Sequence, residues 1–231
     1  MNSIDYSKYP QNTRIRHHIS SNVYFPFNEN IKEPDRYPPL ISDINWNQVF
    51  ENGTPPDMLD IGCGFGKFLL NSSLQFPDMN LLGIEVRPVP VDWIKSVIAA
   101  ENLKNVHIIN YSVANGLTFI NDNSVSFISY FFPDPWFKTR HLKRRAFNLK
   151  FLDEIHRVLK SESKFFIQTD VEEVHKYHLD ILSESGKCKF TNIDSLEKWS
   201  INGVQLTETD HEIYVNKKGM DKFRIIAEKL L

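Results

Sequence analysis

The sequence predicts an α/β fold built on a doubly wound parallel sheet. Apolar runs of strand length alternate with segments of helical periodicity, and a glycine-rich turn follows the first of these runs. Such alternation is typical of βαβ units, in which each parallel strand returns through a helix. No apolar run approaches the roughly 20 residues that a membrane span requires. A chain of 231 residues is long enough for one such domain with an extension.

Two parts of the chain differ in pattern. Residues 1–55 hold six prolines and no clear periodicity, which indicates an irregular extension with one short helix around Ile44–Phe50. Residues 56–231 carry the alternating pattern and form the predicted domain. A short basic stretch in the extension, Arg14–His18, is either a contact arm or a solvated tail.

The elements of the domain follow one another along the chain. Five strands are predicted, at Met58–Ile61, Asn80–Glu85, Val106–Asn110, Val125–Phe131 and Lys164–Thr169. Four helices are predicted: one that ends near Gln75, one at Val91–Asn102, one in which Leu149, Leu152, Ile155 and Leu159 share a face, and one that contains Val174, His178, Ile181 and Leu182 and ends at Gly186. Weaker strand patterns follow at Lys189–Ile193 and Phe223–Ala227.

The glycine-rich turn and two acids near it indicate the cofactor. The first strand contains Asp60 and runs into Ile-Gly-Cys-Gly-Phe-Gly over 61–66, where a ligand can approach the backbone and the amides of the next helix. The G-x-G-x-G spacing differs from the G-x-G-x-x-G of dinucleotide-binding folds. Glu85 ends the second strand, where a carboxylate can hold a ribose diol. An acid before the turn suits an amine better than a pyrophosphate, so the pattern favours S-adenosylmethionine.

The loop after the fourth strand, Phe131–Trp136, has the composition of a nucleobase pocket. Asp134 lies between two prolines, which stiffen the backbone, and Trp136 follows two residues later. Ligands of doubly wound sheets bind at the carboxyl ends of the strands, where this loop begins. A carboxylate accepts hydrogen bonds from base N–H groups, and an aromatic ring offers a stacking face. The alternative is a proline-rich turn with a core tryptophan.

Positive charge is concentrated immediately after this loop. Residues 136–150 carry no acid and six cations: Lys138, Arg140, Lys143, Arg144, Arg145 and Lys150. Because the formal net charge of the whole chain is −2, the other residues carry −8. A compact basic patch on an acidic body is typical of phosphate binding, although a solvated basic face has the same composition. Its position beside a predicted nucleobase pocket favours a nucleic-acid substrate.

The cysteines predict neither a disulfide framework nor a metal site. Cys63 and Cys188 are 125 residues apart, which fits neither spacing. Cys63 lies in the glycine turn, where no histidine base is near in sequence, so a packing role is favoured. The first nine residues are polar, and we expect a cytoplasmic protein without a signal peptide.

These stretches together resemble the tRNA (guanine-N7)-methyltransferases. Five motifs occur in the family's order: LDIGCGFG (59–66), LLGIEVR (81–87), FFPDPWFKTRHLKRR (131–145), IQTD (167–170) and TDHE (209–212). The resemblance covers about residues 57–220, and its run over 133–145 is far more specific than the glycine turn. Arg14–His17 is similar to the arginine-rich start of the family, which implies an arm that contacts tRNA.

The resemblance implies a Rossmann-like class I methyltransferase fold and a set of site residues. The fold has a mostly parallel seven-stranded sheet with a reversed last strand, and the reaction transfers a methyl group from S-adenosylmethionine to N7 of a guanine in the variable loop of tRNA. The implied cofactor contacts are Asp60 and Gly62 at the methionine end, Glu85 at the ribose, Ser112 with Val113 at the adenine, and Asp134 at the reaction centre. The implied guanosine contacts are Lys138, Asp170 and the stretch from Thr209 to Glu212, and the RNA-binding patch is Arg140, Lys143, Arg144 and Arg145.

The predicted chemistry needs no general base. N7 of guanine carries an in-plane lone pair and no proton, so methyl transfer depends on alignment and on a counter-charge for the cationic product. Asp134 is therefore the predicted catalytic residue.

Two positions depart from the family pattern, and other functions stay open. Ser112 stands where the family usually has Asp or Asn, and Phe137 stands where bacterial members usually have Pro and eukaryotic members have Phe. The alternatives are a methyltransferase that acts on another nucleobase or a small molecule, and a non-catalytic RNA-binding module on the same fold. The chain is expected to be a monomer or a homodimer, with a WD-repeat partner if it is of the eukaryotic type.

Overall fold

A seven-stranded sheet organises the computed structural model, which describes residues 3–11, 21–28, 30–31, 34–193 and 198–230. The strands of the sheet are β1 (Met58–Ile61), β2 (Leu81–Glu85), β3 (Val106–Asn110), β4 (Val125–Phe131), β5 (Leu159–Thr169), β6 (Cys188–Asn192) and β9 (Phe223–Lys229), and β7 (Ser200–Ile201) and β8 (Val204–Gln205) form a separate hairpin. The helices are α1 (Lys67–Gln75), α2 (Pro88–Ala100), α3 (Leu149–Val158), α4 (Glu172–Ser185) and α5 (Asp210–Lys218).

The strands lie in the order β3-β2-β1-β4-β5-β9-β6. All neighbours from β3 to β5 are parallel, whereas β9 runs antiparallel to both β5 and β6. This arrangement confirms the mostly parallel sheet with a reversed last strand. The order changes direction between β1 and β4, and the carboxyl ends of strands at such a point open a crevice for ligands.

Helices cover both faces of the sheet. Helices α1 and α2 pack against one face with core residues such as Phe68, Leu81 and Ile108. Helices α3 and α4 pack against the other face with core residues such as Leu59 and Ile155. Every residue of β1 and β2 is buried, including Asp60 and Glu85, as is typical of parallel strands that helices cover on both faces.

Several elements differ from their predicted bounds or were not predicted. Helix α2 begins at Pro88 instead of Val91, because proline is tolerated in a first turn. Leu159 starts β5 instead of ending α3, and only a short 3-10 turn, Trp46–Gln48, forms where a helix was expected. The β7–β8 hairpin and α5 were not predicted. Helix α5 has little apolar periodicity, since its buried residues are Glu212 and Val215.

Three further findings concern membrane spans, metal ligands and thiols. Within the described residues, no helix combines the length and the apolar composition that crossing a bilayer would take. In the same part of the chain, no group of His, Cys, Asp and Glu is arranged to hold a metal ion. Both cysteines are free, and burial raises the pKa of the Cys63 thiol, in keeping with a packing role.

Candidate active site

A cavity of about 860 Å³ opens at the carboxyl ends of β1, β2, β4 and β5. It brings together twelve of the predicted site residues: Asp60, Gly62, Glu85, Ser112, Val113, Asp134, Arg144, Arg145, Asp170, Thr209, Asp210 and His211. Four others, Lys138, Arg140, Lys143 and Glu212, lie outside its lining. Its volume lies within the usual range for small-molecule sites, which extends to about 1,000 Å³.

The glycine turn after β1 brings backbone to the cavity wall. The amide of Gly62 donates to the carbonyl of Ile84 at 2.8 Å, which ties the turn to β2. Gly62 has a φ of +72°, and a Cβ placed on it would meet nothing within 4 Å, so the cavity lies open over its backbone. Gly66 caps α1 with a φ of +66°, and a Cβ there would lie 2.7 Å from Ile94. Only glycine fits both positions without strain.

Asp60 is buried at the base of the cavity. Its Oδ1 accepts a hydrogen bond of 2.8 Å from the hydroxyl of Ser129, its register partner on β4. Burial raises the pKa of Asp60 to about 7; the Ser129 hydroxyl opposes this shift and Glu85 adds to it. The carboxyl group is therefore poised between its two protonation states near neutral pH. A cationic amine placed beside it favours the ionised form.

Glu85 is buried at the end of β2 and already accepts four hydrogen bonds. Its Oε2 accepts from the amide of Gly64 at 2.9 Å and from Arg87 Nη2 at 3.1 Å. Its Oε1 accepts from the amide of Arg87 at 3.0 Å and from Arg87 Nε at 2.8 Å. A carboxylate offers about four lone-pair sites. A ribose diol at Glu85 therefore has to replace the guanidinium donors of Arg87.

Ser112 follows β3 and is buried beneath the N-terminal extension. Its hydroxyl donates to the carbonyl of Val23 at 2.5 Å, and Val23 is only 1% exposed. The same hydroxyl accepts a longer bond from Ala114 in the adjoining 3-10 turn, Val113–Asn115. The extension thus takes part in the wall at the predicted adenine end.

Asp134 lies in a loop whose backbone is strained on both sides. Phe132 has a φ of +48° and Trp136 a φ of +42°. Bulky residues rarely adopt this left-handed region, and each instance costs about 1–3 kcal/mol. Asp134 Oδ2 accepts a hydrogen bond of 2.7 Å from the hydroxyl of Tyr24. Strain of this kind persists only where surrounding contacts hold it, and it is enriched at functional sites.

Arg145 is one of those contacts, and its predicted role in the RNA-binding patch needs correction. Its Nε and Nη2 donate to the carbonyl of Pro135 at 3.0 and 2.7 Å, and Nη2 also pairs with Glu173 at 2.9 Å. The guanidinium lies 4.7 Å from the centre of the Tyr177 ring. Because Arg145 is only 7% exposed and these donors are engaged inside the protein, it supports the Asp134 loop instead of the RNA surface.

The other cations of the run lie closer to solvent. Lys138, Arg140 and Lys143 are exposed, and the half-buried Arg144 places its guanidinium 4.9 Å from the centre of the Trp136 ring. The pKa of His141, within this run, is lowered by desolvation and then by Arg144, Arg140 and Lys138. We name Lys138, Arg140, Lys143 and Arg144 the outer basic patch; Arg144 lines the cavity, and the other three lie outside its lining.

Another wall of the cavity comes from the end of β5 and the start of α5, where Asp210 pairs with Lys67 at 2.7 Å. Asp170 Oδ2 lies 3.0 Å from Nε2 of His211, and Thr209 caps α5 by accepting from the amide of Glu212 at 2.9 Å. Glu212 departs from its predicted contact with guanosine. It is 3% exposed and its carboxylate is ion-paired with Arg224. Glu212 thus anchors α5, and through the helix it fixes Thr209.

Sequence reasoning missed several residues of this site. Val23 and Tyr24 line the cavity from the extension, and Arg87 pairs with the predicted acid Glu85. His211, which pairs with Asp170, lies within the predicted stretch from Thr209 to Glu212. No local pattern identifies Tyr24, which is 110 residues from its partner Asp134. Arg87 follows Glu85 by two residues, so its pairing could have been anticipated. The predicted arm Arg14–His17 lies outside the described residues.

The donor and acceptor set of the cavity fits S-adenosylmethionine. The cofactor presents an amino group and two ribose hydroxyls, and Asp60 and Glu85 supply buried carboxylates at the carboxyl ends of adjacent strands. The open space over Gly62 leaves room for a ligand against the backbone. The residues present therefore suit an amine and a diol at this end of the cavity.

Comparisons with known proteins agree with this fit. A family model described as "Putative methyltransferase" matches residues 54–225. The tRNA (guanine-N(7)-)-methyltransferase of Prochlorococcus marinus strain MIT 9515 is 34% identical over 209 residues, or 87% of this chain and 93% of that protein. The protein of the same name from Prochlorococcus marinus subsp. pastoris is 33% identical over 94% of this chain and 100% of its own length. The solved 16S rRNA methyltransferase KamB shares the fold, with a TM-score of 0.60 and 15% identity over 83% of this chain and 95% of that chain.

Proposed function

Because the chain belongs to the tRNA (guanine-N7)-methyltransferase family, we propose that it methylates a guanine in the variable loop of tRNA. Family membership gives the reaction: the enzyme transfers the methyl group of S-adenosylmethionine to N7 of a guanine in tRNA. One observation carries the assignment of residues. Asp134 converges with Asp60 and Glu85 on a single cavity, beside the outer basic patch.

The cofactor supplies an electrophilic methyl group on a positively charged sulfur. Asp60 accepts from its amino group, and Gly62 leaves room for its methionine end. Glu85 holds the ribose hydroxyls in exchange for the guanidinium donors of Arg87. Ser112, with Val113, borders the adenine. The support for these roles is the burial, the acceptor chemistry and the common location of these side chains.

Asp134 orients the guanine and balances its new charge. The lone pair of N7 forms the carbon–nitrogen bond as the carbon–sulfur bond breaks, so positive charge moves from sulfur to the purine and no proton is transferred. A fixed carboxylate beside the ring stabilises that charge. Arg145 holds the loop before the substrate arrives. Such orientation can lower the barrier by roughly 7–11 kcal/mol.

Asp170 and Thr209 face the guanosine from the wall that the end of β5 and the start of α5 form. The outer basic patch binds the phosphates that flank the guanosine. Phosphate contacts of this kind position a nucleic acid without reading its sequence. Lys138 adjoins the loop that carries Asp134, so it contacts the backbone nearest the target nucleoside. The exposure of Lys138, Arg140 and Lys143 supports this role.

A nucleoside assay tests the proposed function. The purified chain is incubated with S-adenosylmethionine and a tRNA transcript, and the digested nucleosides are analysed by mass spectrometry. We expect 7-methylguanosine, and we expect its loss from a transcript in which adenine replaces the variable-loop guanine. Methylation that persists in that transcript would place the target elsewhere, and a different methylated product would favour another nucleobase.

The same assay tests whether the chain needs a partner. We propose that the chain acts as a monomer or a homodimer in the cytoplasm, where it meets tRNA, and that the arm Arg14–His17 adds contacts to the RNA. Activity of the purified chain alone is the expected result. Activity that appears only after a WD-repeat subunit is added would show dependence on a partner.

A further inference from the structure

The N-terminal extension forms part of the active-site wall. Val23 and Tyr24 both line the cavity, although most of the extension lies outside it. We name residues 21–28 the strap. Val23 meets the predicted adenine end at Ser112, and Tyr24 meets the proposed reaction centre at Asp134.

Two hydrogen bonds outside Asp134 hold the strap on the domain, and a third joins it to Tyr37 of the same extension. The Val23 carbonyl accepts from the Ser112 hydroxyl at 2.5 Å, and the Phe27 amide donates to the side chain of Asn115 at 2.8 Å. The carbonyl of Phe25 accepts from the Tyr37 hydroxyl at 2.7 Å. The strap is thus docked on the 3-10 turn that follows β3, with a defined orientation.

Tyr24 makes two contacts with the loop that carries Asp134. Its hydroxyl donates to Asp134 Oδ2 at 2.7 Å, and its ring meets the edge of Trp136 with centroids 5.0 Å apart. Burial, followed by the charge of Asp134, raises the pKa of Tyr24, so the hydroxyl keeps its proton and donates throughout the physiological range. The bond fixes one oxygen of the carboxylate and leaves the other to face a base.

The strap lines the cavity without filling it. With Val23 and Tyr24 in place, the cavity still measures about 860 Å³, which lies towards the upper end of the range for small-molecule sites. A segment that blocked the site would leave little of that space. The strap therefore forms part of the cavity wall and does not block the site.

We propose that the strap completes the reaction site and that Tyr24 is a positioning residue, which acts on the guanine through Asp134. This inference rests on the proposed function. Val23 closes the adenine end beside Ser112, and Tyr24 holds the carboxylate at the other end. One short segment thereby joins the two halves of the cavity.

Tyr24→Phe tests the positioning role, with Tyr9→Phe as its matched control. Tyr9 lies on the same extension and its hydroxyl also donates to a carboxylate, that of Glu101 at 2.6 Å, but it does not line the cavity. We expect Tyr24→Phe to lower kcat about tenfold, with KM for tRNA and the melting temperature unchanged. In an Asp134→Asn background the same change should have no further effect, because the two residues act together. A kcat equal to that of Tyr9→Phe would overturn the role of Tyr24.

Binding of S-adenosylhomocysteine tests the wall without any turnover. We expect the double variant Val23→Ala/Tyr24→Ala to bind it about tenfold more weakly in calorimetry, whereas Tyr24→Phe and Tyr9→Phe bind it normally. Unchanged affinity of the double variant would contradict the role of the strap as part of the cavity wall. Tighter binding would show that the strap obstructs the site. If the unsubstituted chain makes no 7-methylguanosine, the proposed function fails, while this binding comparison still decides whether the strap belongs to the pocket.

Discussion

The two halves of the active-site cavity are built in different ways. The half that holds Asp60, Gly62 and Glu85 comes from consecutive elements, a strand, a glycine turn, a helix and the next strand, within residues 58–85. The half that holds Asp134 depends on a strained loop kept in place by Tyr24 and Arg145, the first of which is 110 residues away. The first half follows from local structure, whereas the second exists only when distant segments are docked. Substitutions far from the chemistry should therefore damage the second half more.

The largest expected effect concerns Asp134, whose loss should lower the rate of methyl transfer without weakening the binding of tRNA. Asp134→Asn removes the charge that balances the cationic product, and we expect kcat to fall about 100-fold or more. The affinity for tRNA, measured by filter binding, should stay within about twofold, since the phosphate contacts are intact. Asp153→Asn, a change in an exposed ion pair with Lys187, serves as the control. Near-normal turnover of Asp134→Asn would remove this residue from the mechanism.

A second effect separates the buried member of the basic run from its exposed members. Arg145→Ala deletes hydrogen bonds to Pro135 and an ion pair with Glu173, so we expect the free energy of unfolding to fall by about 2–3 kcal/mol in chemical denaturation. Activity should fall as the loop loosens, while the salt dependence of tRNA binding stays the same. Arg140→Ala is the matched control and should leave the free energy of unfolding unchanged. A flatter salt dependence in Arg145→Ala would return this residue to the RNA surface.

A third effect concerns the cofactor side alone. Because burial raises the pKa of Asp60 to about 7, the affinity for S-adenosylhomocysteine, whose amine prefers the carboxylate, should fall about tenfold per pH unit below 7 and level off above it. In the protein without ligand, the free energy of unfolding changes with pH in the opposite direction to this affinity. The folded chain keeps a proton that the unfolded chain has lost, so the free energy of unfolding decreases between about pH 4 and pH 7 as the pH rises.

Asp60→Asn provides the control for this pH dependence. The variant keeps the shape of the side chain and cannot ionise, so calorimetry should give a weak affinity that does not change with pH in this range. If the affinity of Asp60→Asn for S-adenosylhomocysteine is lower but changes with pH as it does in the unsubstituted chain, another group causes the pH dependence.

The smallest expected effect concerns the exposed members of the outer basic patch. Arg140→Ala and Lys143→Ala should each weaken tRNA binding several-fold and lower the slope of log affinity against log salt by about one. Both should act equally on different tRNA sequences, because phosphate contacts do not read bases. The measurement is binding at several salt concentrations. Slopes equal to that of the unsubstituted chain would show that RNA does not contact these two residues.

Periodicity and turn chemistry made most of the sheet predictable. Strands β1, β3 and β4 have their predicted bounds, and Gly186 ends α4 as expected, because buried strands and glycine caps depend on residues close in sequence. Helix α5 was not predicted, because the buried Glu212 occupies a position at which helical periodicity predicts an apolar residue. In the folded protein, the ion pair with Arg224 stabilises the buried carboxylate of Glu212.

In the candidate site, too, some features follow from the sequence and others depend on tertiary contacts. The sequence by itself determined that Asp60, Glu85 and Asp134 stand at the ends of strands, where parallel order brings them to one edge of the sheet. Only the tertiary structure decided that Arg145 turns inward to Pro135 while Arg140 faces solvent, and that Tyr24 reaches Asp134. The physical reason is that strand formation depends on local apolar patterns, whereas the direction of a charged or phenolic side chain depends on which distant hydrogen-bond partner is docked beside it.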